Sequence, residues 1–120
     1  CLEGALKLKE ISYINANGYP AGEIKHGPIA LISENCPTVA LCADQMTYDK
    51  LLSNLMEIKA RNGKVLAIAT KKDKHLEEIA DDVLYVPASS DELAVVPVAV
   101  AMQLFAYYVA QQRGSDIDHP

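Results

Sequence analysis

Apolar and polar positions along this chain change period from one block to the next, and the blocks read as alternating helices and strands. Residues 2–15 place Leu2, Leu6, Leu8, Ile11 and Tyr13 around a helical circumference, and residues 17–22, with two glycines and a proline, break that helix. Residues 24–32 are short and apolar around Gly27-Pro28, enough for a helical turn or two. Beyond Pro37, residues 38–43 are an unbroken run of β-branched and small apolar residues, the pattern of a buried strand. A helix over 48–62 follows, with Leu51, Leu52, Leu55, Met56 and Ile58 on its apolar side and Asn62-Gly63 as its stop. Residues 64–69 read as a strand, 72–80 as a polar helix and 83–86 as a short strand. Ser89, Ser90, Asp91 and Glu92 offer caps for a last helix over 98–113, with Pro97 in its early turn and Gly114 as its stop. Apolar strands without polar alternation, separated by helices, predict an α/β chain: a parallel sheet covered on both faces, three layers deep.

Composition narrows the class. With 120 residues the chain fits one domain, and one of this size can bury a real core. The net charge is -5, and eleven Lys and Arg residues lie scattered among sixteen acids without a basic block. That argues against nucleic acid and anionic membrane as partners. No apolar run reaches the ~18 residues a bilayer crossing needs. Cys1, Cys36 and Cys42 form no CxxC pair and are odd in number, so free thiols and a reducing, cytoplasmic setting are expected. No His/Cys/Asp spacing suggests a metal, and Gly18, Gly22 and Gly27 make neither a dinucleotide fingerprint nor a phosphate loop, so no cofactor is expected.

Two clusters could carry chemistry. At 100° per residue Glu3, Lys7 and Glu10 fall within about 60° of one another, a charged stripe between apolar flanks. On a solvated face this is an ion-pair ladder worth ~0.2–0.5 kcal/mol per pair. On a helix buried nearly all round, a carboxylate next to an ammonium can serve as a general base. The second cluster is the loop with Glu23, Lys25, His26, Gly27 and Pro28, whose backbone is fixed while the imidazole projects; an ordinary histidine pKa near 6.5 suits proton exchange at neutral pH. Glu23 could orient His26 or could be an N-terminal helix charge. His75 and His119 read as surface and terminus, Asp81-Asp82 as solvated, and Tyr107-Tyr108 as packed against the sheet.

The stretch LKLKEISYINANGYPAGEIKHGPIALI, with Gln103, Leu104, Ala106 and Tyr107 and then Gly114, Asp116, Asp118 and Pro120, resembles the isomerase half of the glutamine:fructose-6-phosphate aminotransferase (glucosamine-6-phosphate synthase) family, specifically its second sugar-isomerase (SIS) domain. The resemblance covers most of the chain. It implies the flavodoxin-like SIS fold, with a first strand upstream of Cys1, so that residues 1–120 form a partial SIS domain of a longer enzyme. It also implies a sugar-phosphate ligand, fructose 6-phosphate or glucosamine 6-phosphate, and a homodimer. The position matching Glu10 moves the proton between sugar carbons 1 and 2, that matching Lys7 supports the transfer, and that matching His26 assists ring opening.

Departures from the family bound what carries over. Cys1 precedes Leu2-Glu3-Gly4 where the family's nucleophilic cysteine precedes Gly-Ile, so Cys1 reads as an ordinary helix residue. Asn15 and Asn17 stand where the family often has His and Glu. The family's glutaminase, its first SIS domain and its imine-forming lysine find no counterpart in these residues, so the chain alone is expected to be inactive. Two alternatives stay open: a stand-alone SIS isomerase or deaminase of amino-sugar phosphates, and a non-catalytic sugar-phosphate-binding or dimerisation module.

Overall fold

The computed structural model describes residues 1–88 and 90–119; Ser89 and Pro120 lie outside the described residues. Three strands, β1 (Thr38–Cys42), β2 (Val65–Ala69) and β3 (Asp82–Tyr85), pair in parallel in the order β1-β2-β3. Thr38 stands opposite Val65 and Cys42 opposite Ala69; Leu66 stands opposite Asp82 and Ala69 opposite Tyr85. Between them run α2 (Tyr48–Ala60) and α3 (Lys74–Ile79), with α1 (Leu2–Ser12) before and α4 (Val95–Arg113) after.

The alternation of side chains along each strand separates two cores. Ala40, Cys42, Val65, Ala67 and Ala69 face one side and meet Leu52, Leu55 and Ile58 of α2 and Leu76 of α3. Val39, Leu41, Ile68 and Val86 face the other and meet Val98, Ala101 and Met102 of α4. Side chains such as Leu55, Ile58, Ile68 and Leu76 are fully buried, each contributing about 1.5–3 kcal/mol. Helix α1 lies on α4, so the layers are α1 and α4, the sheet, and α2 with α3. The three-layer parallel arrangement expected from the pattern is what the chain adopts.

Several boundaries move for local reasons. Helix α1 stops at Ser12, three residues before the expected end, because Tyr13 turns left-handed at φ 58° with its N–H on the Lys9 carbonyl. The apolar stretch around Gly27 forms two 3₁₀ helices, Ala21–His26 and Pro28–Leu31, hinged at Gly27, whose φ of 141° favours glycine. Helix α4 starts at Val95, and its N-cap is Ala94 with no side-chain cap; Ser90 Oγ instead accepts from Leu93 N–H in the preceding turn.

Three expectations need correcting. Tyr107 and Tyr108 do not pack on the sheet: they stack edge-to-face on each other, 42% and 58% exposed, because α4 turns its small residues Ala101, Ala106 and Ala110 inward. Asp81 is not merely solvated: its carboxylate takes Lys59 Nζ at 2.7 and 2.8 Å, Lys64 Nζ at 3.7 Å and the Val65 N–H at 2.7 Å. Helix α1 is not buried nearly all round: Leu2 and Leu6 are exposed, and Gly4 and Ser12 are the residues it buries. Finally, α4, with 19 residues and mean hydropathy 1.2, is long and apolar enough to cross a membrane by length and composition.

Candidate functional site

Helical spacing puts Glu3, Lys7 and Glu10 on one side of α1, and the contact follows from it. Lys7 Nζ donates to Glu10 Oε2 at 2.7 Å and lies 4.0 Å from Glu3 Oε1. The hydrogen bond to Glu10 and its negative charge hold the Lys7 ammonium above the ordinary lysine value, so the cation stays charged beside the carboxylate. The side chains of Lys7 and Glu10 are 36% and 45% exposed, so within this chain water reaches both. The ionised carboxylate offers a proton acceptor with an ammonium beside it, open on its outer side.

His26 ends the first 3₁₀ helix, and α2 clamps that helix from below. Asn54, buried on α2, donates from Nδ2 to the Ala21 carbonyl at 3.0 Å. One turn further along α2, Glu57 takes Lys25 Nζ at 2.6 Å. His26 Nδ1 itself lies 2.9 Å from Glu23 Oε2. Sequence reasoning missed Asn54 and Glu57. The signal for Asn54 was present: a polar residue between Leu52 and Leu55 on an otherwise apolar helix side must find a partner.

The structure brings Lys7 and Glu10 together and holds His26 apart from them. Helix α1 belongs to the α4 layer, whereas the His26 helix rests on α2, across the sheet. The connection between them doubles back: Gly18 packs against the backbone of Cys1 and Leu2, at the start of α1. Glu10 lies nine residues further on, about 13 Å along the helix axis. Among the described residues no hydrogen bond or ion pair joins Lys7 or Glu10 to His26.

Other polar groups hold the frame. Tyr48 Oη donates to Asp73 Oδ2 at 2.7 Å, which keeps the Asp73 carboxyl below the ordinary range, while burial, then that bond, pushes the Tyr48 hydroxyl up. Cys42 is buried, and burial lifts its thiol to about 11, so it is an inert packing residue.

Residues 1–112 match the sequence pattern of the SIS domain. The chain belongs to the SIS-domain family. Its SIS sequence is 54% identical over 118 residues to the glutamine–fructose-6-phosphate aminotransferase [isomerizing] of Thermus thermophilus, covering 98% of this chain and 20% of the relative. It is 49% identical over 119 residues to the protein of that name from Chlorobaculum tepidum, covering 99% of this chain and 19% of the relative. The chain thus spans about a fifth of the length of these curated relatives. Among solved structures it superposes with TM-score 0.85 on the C-terminal domain of glucosamine-fructose-6-phosphate aminotransferase from Francisella tularensis, at 45% identity, covering 97% of this chain and 33% of that one. Such a match over nearly all of the chain places the SIS domain in the three-layer α/β/α fold of that domain.

Proposed function

We propose that this SIS domain is the proton-transfer part of a glutamine–fructose-6-phosphate aminotransferase that makes glucosamine 6-phosphate from fructose 6-phosphate in the cytoplasm, residues 1–120 being one partial domain of it. The observation that carries this reading is the identity of about half of all positions, across nearly the whole chain, with relatives of that name. The Lys7–Glu10 contact gives it chemistry. A carboxylate that takes a proton from a carbon next to a carbonyl and returns it one carbon away performs both halves of an aldose–ketose exchange. A charged Lys7 beside it offsets the negative charge that develops on the sugar oxygen between the two steps.

The same geometry supports a homodimer. Glu10 is carried on the helix that packs against α4 and His26 on the helix that packs against α2, which supports a reading in which the histidine acting with Glu10 comes from a second copy. The unpartnered row Val96, Val100, Leu104 and Tyr108, four residues apart on α4 and each about half exposed or more, supports α4 as a packing helix between protein surfaces rather than a membrane span. The groove of about 250 Å³ beside β1, lined by Cys1, Tyr19, Ile24, Leu51 and Leu55, supports a further strand pairing there, since parallel sheets are ordinarily buried.

The open position of the charged stripe also favours the non-catalytic reading, in which Glu3, Lys7 and Glu10 are only a surface ladder. One experiment separates the two. With this chain grafted in place of the corresponding fifth of the Thermus thermophilus relative, the graft is expected to form glucosamine 6-phosphate. Glu10→Gln should then lower turnover by about 10²–10⁴, the usual weight of a general acid–base group. Glu3→Gln, 4.0 Å from Lys7, should cost far less. Equal, small effects of both substitutions would leave the surface ladder as the correct account.

A further inference from the structure

We propose that Glu23 is a positioning residue for His26, holding its imidazole with the hydrogen on Nδ1 and leaving Nε2 free to exchange a proton with the cyclic sugar. The functional half of this rests on the ring-opening role given to His26 above. The structural half rests on the Glu23 Oε2 to His26 Nδ1 distance of 2.9 Å. An ionised carboxylate can only accept, so the ring nitrogen facing it must carry the hydrogen. A free imidazole in water carries its hydrogen mainly on Nε2, so this contact reverses the ordinary preference.

The backbone brings the two side chains within reach of each other. In a 3₁₀ helix residues three apart lie directly above each other, and Glu23 and His26 are three apart within Ala21–His26. The helix is anchored at its start by Asn54 on the Ala21 carbonyl and near its end by Glu57 on Lys25. Because Lys25 is engaged by Glu57, the neighbouring cation does not draw Glu23 away from the imidazole. Gly27 then turns the chain at φ 141° immediately after His26, and the His26 side chain is 72% exposed.

The step this serves balances within the sugar. The Nε2 lone pair takes the proton of the hydroxyl on the anomeric carbon, the carbonyl forms as the bond from that carbon to the ring oxygen breaks, and the ring oxygen keeps the electron pair. The imidazolium then returns the same proton to the ring oxygen. With the hydrogen on Nε2 instead, the sugar would face a donor and the first transfer would have no acceptor.

The test reads the tautomer directly. In the ¹⁵N-labelled chain, at a pH where the imidazole is neutral, the ring nitrogen shifts of His26 should report hydrogen on Nδ1. Glu23→Ala should swing them to hydrogen on Nε2, and Glu23→Gln, whose amide oxygen still accepts, should hold them in between. An unchanged amide spectrum elsewhere checks that the fold is kept. A His26 tautomer indifferent to Glu23→Ala would overturn the positioning role. In the Thermus graft, Glu23→Ala should slow turnover of fructose 6-phosphate by on the order of tenfold, a part of what a whole general acid–base group contributes. Turnover of 5-deoxyfructose 6-phosphate, which lacks the hydroxyl that closes the ring, should not change. A moved tautomer with unslowed fructose 6-phosphate turnover would support the positioning and overturn the ring-opening role of His26 on which its purpose depends.

Discussion

At the scale of single residues, Asp81 shows how far neighbours outweigh identity. Asp81 and Asp82 are adjacent and chemically identical, yet the Lys59 ammonium first, with the Val65 N–H, holds Asp81 down at about 2, while Asp82 caps only the N–H of Val83. Its carboxyl is depressed in the folded chain relative to the ordinary 3.8, so its contribution is full above about pH 4 and is lost as the pH falls through about 2. Asp81→Asn should therefore lower the thermal midpoint at pH 7, and the gap to the unsubstituted chain should close by about pH 2, measured as a pair of melting curves against pH. A gap that persisted at the acid end would mean the loss was one of packing. Nothing in the local sequence marks Asp81 out, because its partner Lys59 is 22 residues away. Glu10 and Lys7 were legible for the opposite reason: three and four residues apart on a helix are neighbours by geometry alone. Glu23 and His26, three apart in a 3₁₀ helix, belong to the same class, and the alternative of a helix-terminal charge for Glu23 gives way to the direct contact.

At the scale of elements, β1, α2, β2 and the parallel sheet could be read from the pattern because Pro37 precedes β1 and Asn62-Gly63 separates α2 from β2, while α3 is marked by its charged run and by the Asp73 cap that accepts the His75 N–H. Helix α4 was only half legible. Its existence and its stop at Gly114, left-handed at φ 70°, follow from the sequence, but an element apolar all round gives no signal for which side meets the sheet. Packing decides it: Val98, Ala101 and Met102 join the sheet-side core, while Leu104 and Tyr108 are left outside. Helix α1 shows the same rule at Gly4, where an added Cβ would meet the methyl group of Met102 on α4. The turn from α2 to β2 meets stiffer neighbours. A Cβ on Gly63 would lie 2.6 Å from the Cγ2 atoms of both Ile32 and Ile58 and 3.0 Å from the Ile58 carbonyl oxygen. Both isoleucines are β-branched and stiff at χ1, so neither yields easily. Gly63→Ala should destabilise the chain by about 1–3 kcal/mol, the ordinary cost of overpacking, as read by denaturant melts. A neutral result would show that the Ile32 loop moves aside freely.

At the scale of the whole molecule, the proposed site would account for the open surfaces of the chain. The Glu10 stripe lies open on the α4 layer, His26 is carried across the sheet on the α2 layer, and α4 presents an apolar row to the outside. A groove of about 1000 Å³ lies between α4 and β3, lined by Leu84, Val86, Leu104 and Tyr108 among others. None of this was visible in the periodicity, which reports the side of an element that is apolar and says nothing of how two distant loops are placed. A site divided between two copies makes these features one arrangement, and mixing two defective proteins tests it most directly. Glu10→Gln and His26→Asn forms of the Thermus graft, each inactive alone, should be unfolded together, allowed to reassociate at random, and assayed for glucosamine 6-phosphate. In a two-fold dimer half of the pairs are hybrids and each hybrid rebuilds one intact site of two, so activity should return to about a quarter of the unsubstituted level. Correctly folded hybrids with no recovered activity would contradict the account, since they would mean that Glu10 and His26 must come from the same copy or that one of them takes no part.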